Sequence, residues 1–246
     1  MIIGFIGFGE VNYKLNSILS SKIKTITSYE NRSENTISKI KNSEIEIVDS
    51  FIDVAQNADL VIDSTSPKQA LENARKYSKY VKGLYLDLNN ISPTTTKEIT
   101  SYFNGNFIDG AIIGKIDSFK PNIIVSGENA FKLDFLNDYK IDLKIISNEV
   151  GDASTLKMLR SSYTKSLSAI LIESVDLAKS LNLEDEFFDI LAISEGEDFK
   201  AKSISRILNT KKHSKRKIEE LDELLELFKN EDTKMIKSSK EKLKKI

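Results

Sequence analysis

Chemistry in this chain can begin at few places. Near the N-terminus an apolar run, residues 2–6, passes straight into Gly7-Phe8-Gly9-Glu10-Val11-Asn12. In a dinucleotide-binding turn the first glycine permits a tight bend and the second lets the backbone approach a pyrophosphate. The third lets the next helix pack closely on the strand. That helix start presents unpaired N–H groups and a partial positive charge to the phosphates. Here Asn12 stands at the third position, and a strand–helix turn that binds nothing carries the same two glycines. Context favours a nucleotide: a strand precedes, a helix over 11–19 follows, and together they open a βαβ unit. Gly7, Phe8, Gly9, Glu10 and Val11 are therefore the first cofactor-binding candidates.

A second checkpoint lies about 20 residues further on, at the end of the second strand. It reads Tyr29-Glu30-Asn31-Arg32-Ser33. An acidic residue would hold the ribose 2′-hydroxyl of NAD, whereas an arginine would pair with the 2′-phosphate of NADP. Both are present. The cluster Asn31, Arg32 and Ser33 favours NADP, with NAD as the alternative. Ser66 and Pro67, after the fourth strand, provide a third contact, because loops at the carboxyl ends of parallel strands line the ligand crevice. Other chemistries drop out. There is no cysteine, so disulfides, thiolate zinc sites and a cysteine nucleophile are excluded. The single histidine, His213, excludes a multi-histidine metal site, and no metal is expected. Gly114-Lys115-Ile116 lacks the Ser/Thr and the upstream glycine of a P-loop.

The elements that must position these residues differ between the two halves. Short β-branched runs at 2–6, 23–28, 45–48, 59–63 and 84–88 alternate with helical stretches such as 68–81, which predicts βαβ units and a parallel sheet. Runs at 107–113, 122–126 and 143–146 extend it. After Gly151 the strand signals stop. Leu156, Leu159, Tyr163, Leu167, Ile170, Leu171, Val175, Ala178 and Leu181 recur at helical spacing, which predicts one long amphipathic helix. Four more helices are expected near 184–193, 198–208, 214–229 and 233–245. The fold class is thus an α/β Rossmann-like N-terminal domain, residues 1–150, plus an all-α C-terminal domain, residues 151–246, opened by a long interdomain helix.

The chain has 246 residues and a formal net charge of −1, a balance that argues against a nucleic-acid partner. No apolar run approaches the roughly 20 residues of a membrane span. The N-terminus lacks the basic region of a signal peptide. A cytoplasmic protein is expected.

Gly4-Phe5-Ile6-Gly7-Phe8-Gly9-Glu10 resembles the opening of the β-hydroxyacid dehydrogenases, a group that includes 3-hydroxyisobutyrate and 6-phosphogluconate dehydrogenases. Asn31-Arg32-Ser33 resembles its Asn-Arg-Thr at the NADP ribose. Asp87-Leu88-Asn89-Asn90-Ile91-Ser92-Pro93 is similar to its Asp-Ser-Ser-Thr-x-x-Pro loop. Residues 107–114, ending in Gly114, resemble the substrate loop Asp-Ala-Pro-Val-Ser-Gly-Gly. Gly151-Asp152-Ala153-Ser154-Thr155-Leu156-Lys157 resembles Gly-x-Gly-x-x-x-Lys, which carries the catalytic lysine. The likeness covers nearly the whole chain. It is greatest to a 6-phosphogluconate dehydrogenase-like branch with a Lys-Met pair, as in Lys157-Met158, and a helix similar to residues 213–220.

The resemblance implies NAD(P)-dependent hydride transfer on a small acid bearing a hydroxyl or oxo group, with Lys157 as general acid/base. Nicotinamide takes the hydride; a positioned base takes the hydroxyl proton. Burial or a neighbouring cation can lower a lysine pKa far enough for that role. Arg160, at i+3 from Lys157, could supply the cation and also pair with an acidic substrate. The family's substrate-loop serine falls at Ile113, and the asparagine four residues past the lysine falls at Ser161. Gly114, Arg160, Ser161, His213 and Arg216 are the substrate-binding candidates. Asn89 lies near the nicotinamide or is a turn asparagine. A homodimer is expected, because the long helix needs more cover than a small helical domain supplies. A non-catalytic nucleotide-binding regulatory module, or an NADPH-dependent reductase of another substrate such as an imine, are the other readings.

Overall fold

A computed structural model describes all 246 residues. The chain forms an α/β Rossmann-like region followed by an all-helical one. The first comprises β1 (Ile2–Ile6), α1 (Glu10–Leu19), β2 (Lys24–Thr27), α2 (Glu34–Lys41), β3 (Glu46–Ile47), α3 (Phe51–Asn57), β4 (Leu60–Asp63), α4 (Pro67–Tyr77), β5 (Leu84–Asp87), α5 (Pro93–Thr100), β6 (Phe107–Ile113), β7 (Asn122–Ser126) and β8 (Asp142–Ser147). The second comprises α6 (Asp152–Ser180), α7 (Glu184–Glu195), α8 (Phe199–Lys212), α9 (Ser214–Leu227) and α10 (Lys234–Leu243). None of these helices is long and apolar enough to cross a membrane.

The strands form one sheet in the order β3-β2-β1-β4-β5-β6-β7-β8, parallel throughout except between β6 and β7. Side chains alternate across a strand, so each central strand feeds two cores. Leu60 and Ile62 enter one cluster with Ile3, Phe5 and Leu15, while Val61 enters the other with Ile6, Phe51, Tyr85 and Phe107. That double burial explains why β4 and β5 read as nearly continuous apolar runs. The helix starts are equally local. Ser33, Ser50, Ser66 and Ser92 cap α2, α3, α4 and α5 by accepting a backbone N–H of the first turn. Pro67 and Pro93 occupy the first turns of α4 and α5, where a missing N–H costs nothing.

The chain divides into two compact units, Met1–Lys157 and Met158–Ile246, with the dividing point inside α6. At 29 residues, α6 is about 44 Å long. In the helical unit a cluster of Ala169, Leu221 and Leu243 gathers Ile218, Ile236 and Ile246 around it. The buried face of α6 carries Ala169, Ile172, Val175 and Ala178, while Leu156, Leu159, Tyr163, Ile170, Leu177 and Leu181 are exposed. Of the apolar positions in the sequence pattern, Val175 and Ala178 are buried, Leu156, Leu159, Tyr163 and Ile170 are exposed, and Leu181 lies just past the end of α6.

Candidate functional site

The Gly7–Gly9 turn closes β1. Gly7 has a φ of +81°, and a Cβ there would lie 2.6 Å from Thr65 Cγ2 and 2.7 Å from the Ser64 carbonyl oxygen. Only glycine fits. Gly9 is the opposite case: a Cβ there would meet nothing within 4 Å. Gly9 also occupies the N-cap position of α1, where no side chain caps the helix. The first N–H groups of α1 thus face an open space, as an anion cradle requires. The Phe8 ring is buried edge-on to Phe5 and Tyr13, so Phe8 brings only its backbone to the turn. Val11 packs against the core, and Glu10 is ion-paired with Lys39.

Asn12, at the position of the missing third glycine, is fully buried. Its side-chain amide donates to the carbonyls of Gly7 at 2.9 Å and of Ile6 and Ile62 at 3.2 Å. The departure from the glycine pattern is therefore a replacement of close packing by a polar staple between the ends of β1 and β4.

At the end of β2, Glu30 and Arg32 have different partners. Glu30 accepts the Phe51 N–H at 2.9 Å and the Lys76 ammonium at 2.8 Å. The Lys76 hydrogen bond and the Phe51 N–H hold its pKa below the usual carboxylate range. Arg32 stacks 5.0 Å over the Phe51 ring and donates from Nε to the Glu30 carbonyl at 3.0 Å. No side chain engages its terminal NH2 groups. Asn31 adopts a left-handed backbone, φ +54°, and Ser33 caps α2. Ser66 is spent on capping α4, with Pro67 next to it.

Buried aspartates end β4 and β5, and register aligns them with a third inside β6: Asp63 with Asp87 and Asp87 with Asp109. Asp63 accepts from the Tyr85 hydroxyl at 2.6 Å, the Asn73 amide at 2.9 Å and the Thr65 hydroxyl at 3.0 Å. Asp87 accepts the backbone and side-chain N–H groups of Asn89, each at 2.9 Å. The Asn89 side-chain oxygen in turn takes the Thr65 N–H at 2.7 Å. The amide of Asn89 is thus engaged in tying the β5 loop to the β4 loop. Burial pushes the Asp63 carboxyl up, and burial plus repulsion from Asp63 pushes Asp87 well up. Repeated apolar runs ending in aspartate, at 63, 87 and 109, were the sequence signal for this row.

Lys157 is half-buried, and Arg160, one turn on along α6, is exposed. Gly114 has a φ of +90° and open space around it, directly after the half-buried Ile113. Within the helical unit, Glu220 brings Ser161 and Arg216 together: Ser161 donates to it at 3.3 Å and Arg216 Nε at 2.9 Å. Lys165, buried and absent from the sequence candidates, pairs with the same carboxylate at 2.5 Å and with the Ser161 hydroxyl. His213 is exposed at the α8–α9 junction.

No protein-family model matches the chain. An uncharacterized 28.5 kDa protein of Methanothermus fervidus, from the 7S RNA 5′ region, is 43% identical over 249 residues, spanning 100% of this chain and 99% of its own. A solved conserved protein of unknown function, described as structurally similar to 3-hydroxyacid dehydrogenases, is 37% identical with a TM-score of 0.89 over 100% of this chain and 96% of its own. The fold is shared more distantly. The Mycobacterium tuberculosis 3-hydroxyisobutyrate dehydrogenase with L-serine superposes at TM-score 0.81 and 14% identity, over 99% and 92% of the two chains. The Myxococcus stipitatus imine reductase in complex with NADP+ gives 0.60 and 16%, over 100% and 93%.

Two outcomes test this geometry. Asn12→Ala removes the amide donor shared by the Ile6, Gly7 and Ile62 carbonyls and should destabilise the protein by about 1–3 kcal/mol in urea denaturation. Unfolded Asp87 loses its proton near pH 4, whereas folded Asp87 holds it to higher pH. The folded state therefore binds more protons in that window, and this group's contribution to stability falls as pH rises. The Tm of Asp87→Asn relative to the unsubstituted protein should consequently improve as pH is raised from 4 to 8. A difference independent of pH would show that Asp87 is ionised in the folded state.

Proposed function

Because the chain belongs to the β-hydroxyacid dehydrogenase superfamily, we propose that it transfers a hydride between a nicotinamide dinucleotide and a small hydroxy or oxo acid, with NADP preferred over NAD. The observation that carries this reading is the cradle at the start of α1, formed by Gly7, Gly9 and uncapped N–H groups, together with the disposition of Glu30 and Arg32. A pyrophosphate fits the open face of Gly9. Arg32, flat on Phe51 with its NH2 groups available, suits a 2′-phosphate. Glu30 is already engaged by Lys76 and Phe51, which disfavours the acidic contact that NAD would use. The solved imine reductase carries NADP+ and its V8 variant NAD+, which supports a nicotinamide dinucleotide without choosing between the two.

The nicotinamide supplies or accepts the hydride. The protein moves the proton, and the group in this reading is Lys157. Arg160, exposed one turn along the same helix, would pair with the substrate's acidic group and lower the pKa of Lys157 by like-charge repulsion. Gly114 and Asn89 shape the loops after β6 and β5. Ser161 and Arg216 act through Glu220, and His213 is the remaining substrate-side candidate. An apolar Ile113 where the family has a serine favours, as a second reading, a reductase of a less polar substrate such as an imine.

A second copy of the chain is the expected partner. Leu156, Tyr163, Ile170 and Leu177 are exposed on α6 at seven-residue intervals, the spacing of a helix seam that packs on another helix. Light scattering at micromolar concentration should give twice the chain mass.

Arg32→Ala should weaken NADPH binding about 10- to 100-fold, the worth of a charge-assisted hydrogen bond, and leave NADH binding unchanged. Nucleotide fluorescence titration measures both, and equal losses for the two nucleotides would refute the NADP preference. Lys157→Ala should retain NADPH binding and lose about 10²- to 10⁴-fold in turnover across a panel of 3-hydroxyacids and cyclic imines. Full turnover in that variant would remove Lys157 from the chemistry.

A further inference from the structure

Asp109 lies buried in β6. Its Oδ1 accepts the Ser154 hydroxyl at 2.5 Å, and its Oδ2 accepts the Ser154 N–H at 2.9 Å and the Ser126 hydroxyl at 3.3 Å. Ser126, at the end of β7, uses the same oxygen to accept the Ala153 N–H at 3.0 Å. Ala153 and Ser154 are the second and third residues of α6. Two of the orphan N–H groups at the start of this 29-residue helix are therefore satisfied from the sheet, and a carboxylate sits where the helix dipole is positive. Each hydrogen-bond partner of the two carboxylate oxygens is a donor; burial pushes the Asp109 carboxyl above its usual range, and the Ser154 and Ser126 hydrogen bonds pull against that rise. Ser154 is also within 3.5 Å of the Thr96 hydroxyl, and Asp152 accepts the Ser147 hydroxyl at 2.6 Å, so α5 and β8 brace the same turn. Lys157 follows Ser154 by three residues, one turn along the same helix face.

We propose that Asp109 is a positioning residue: by clamping the first turn of α6 through Ser154 and Ser126, it sets the rotation and height at which Lys157 is presented. The inference rests on Lys157 being the acid/base group only for its effect on turnover; the clamp itself stands on the contacts above. A carboxylate at this place cannot be read as ordinary core. An apolar residue would leave the Ser154 and Ser126 hydroxyls and the Ser154 N–H without this acceptor, and a helix start released from the sheet can rotate. Displacing a catalytic group by about 1 Å can cost on the order of 10²-fold in rate while leaving cofactor binding intact.

The experiment compares the full-length protein with Asp109→Asn, Ser154→Ala and Lys157→Ala. Three readouts are used: amide hydrogen exchange across residues 152–157, the NMR titration of 13C-labelled lysine with the Lys157 signal assigned by its loss in Lys157→Ala, and NADPH affinity. Turnover with 3-hydroxyisobutyrate and L-serine is measured in parallel. Asp109→Asn should speed exchange in residues 152–157 by about 10-fold or more, the loss expected for a charged acceptor. It should also move the Lys157 titration and leave NADPH affinity within about threefold, since the cradle at the start of α1 is separate. Ser154→Ala, which keeps the carboxylate and removes one of its donors, should give smaller changes in the same direction and covers the case in which Asp109→Asn does not fold. Unchanged exchange and an unchanged Lys157 titration in the variants that fold would overturn the proposal. If Lys157→Ala keeps full turnover, the acid/base reading fails, yet exchange and titration still decide whether Asp109 holds the helix start.

Discussion

Four neighbouring parallel strands, β1, β4, β5 and β6, end beneath the loops that form the candidate site, and their last polar groups are shut away from water. Buried N–H and C=O groups must find partners. The chain meets this demand with side chains that sit at or just beyond the strand ends. Asn12 ties Ile6, Gly7 and Ile62 together. Asp63 gathers Tyr85, Asn73 and Thr65; Asp87 gathers Asn89; Asp109 gathers Ser126 and the start of α6. Loop positions follow from these ties. The Ser64-Thr65 backbone, held by Asn89, is the wall that makes Gly7 obligatory.

The same arrangement distributes charge unevenly. Burial raises the pKa of Asp63, Asp87 and Asp109, and the start of α1 has no side-chain cap. Burying two carboxyls side by side is costly unless a proton or enough donors compensate. Tyr85, fully buried and bonded to Asp63, is one such donor. At the end of β2, Lys76 and the start of α3 occupy Glu30, and the Phe51 ring supports Arg32.

In the helical unit the polar centre is different in kind. Lys165 is buried on α6 and shares Glu220 with Arg216 and Ser161. A buried pair of this sort adds little net stability but is expensive to break, because removing one partner strands the other. It fixes how α9 meets α6, and it accounts for a serine at 161: a short hydroxyl fits beside the Lys165 ammonium on the next turn of the same helix.

Local information was sufficient for the elements, and sequence alone determined them: every strand of the sheet, the long helix α6 and the four helices after it follow from spacing, caps and glycines within a few residues. The resemblance to hydroxyacid dehydrogenases was also present in short motifs. What the tertiary structure decided is which partners the ambiguous residues meet. Asn12 looked like a damaged glycine motif until its amide met Ile62, 50 positions away. Glu30 stood beside Arg32 with no partner in view, and its contact with Lys76, 46 positions away, exists only in the folded chain. Asn89 and the apolar positions of α6 were open for the same reason. A hydrogen bond or a covered face requires a partner, and partners distant in the chain become neighbours only when the sheet and helices are assembled.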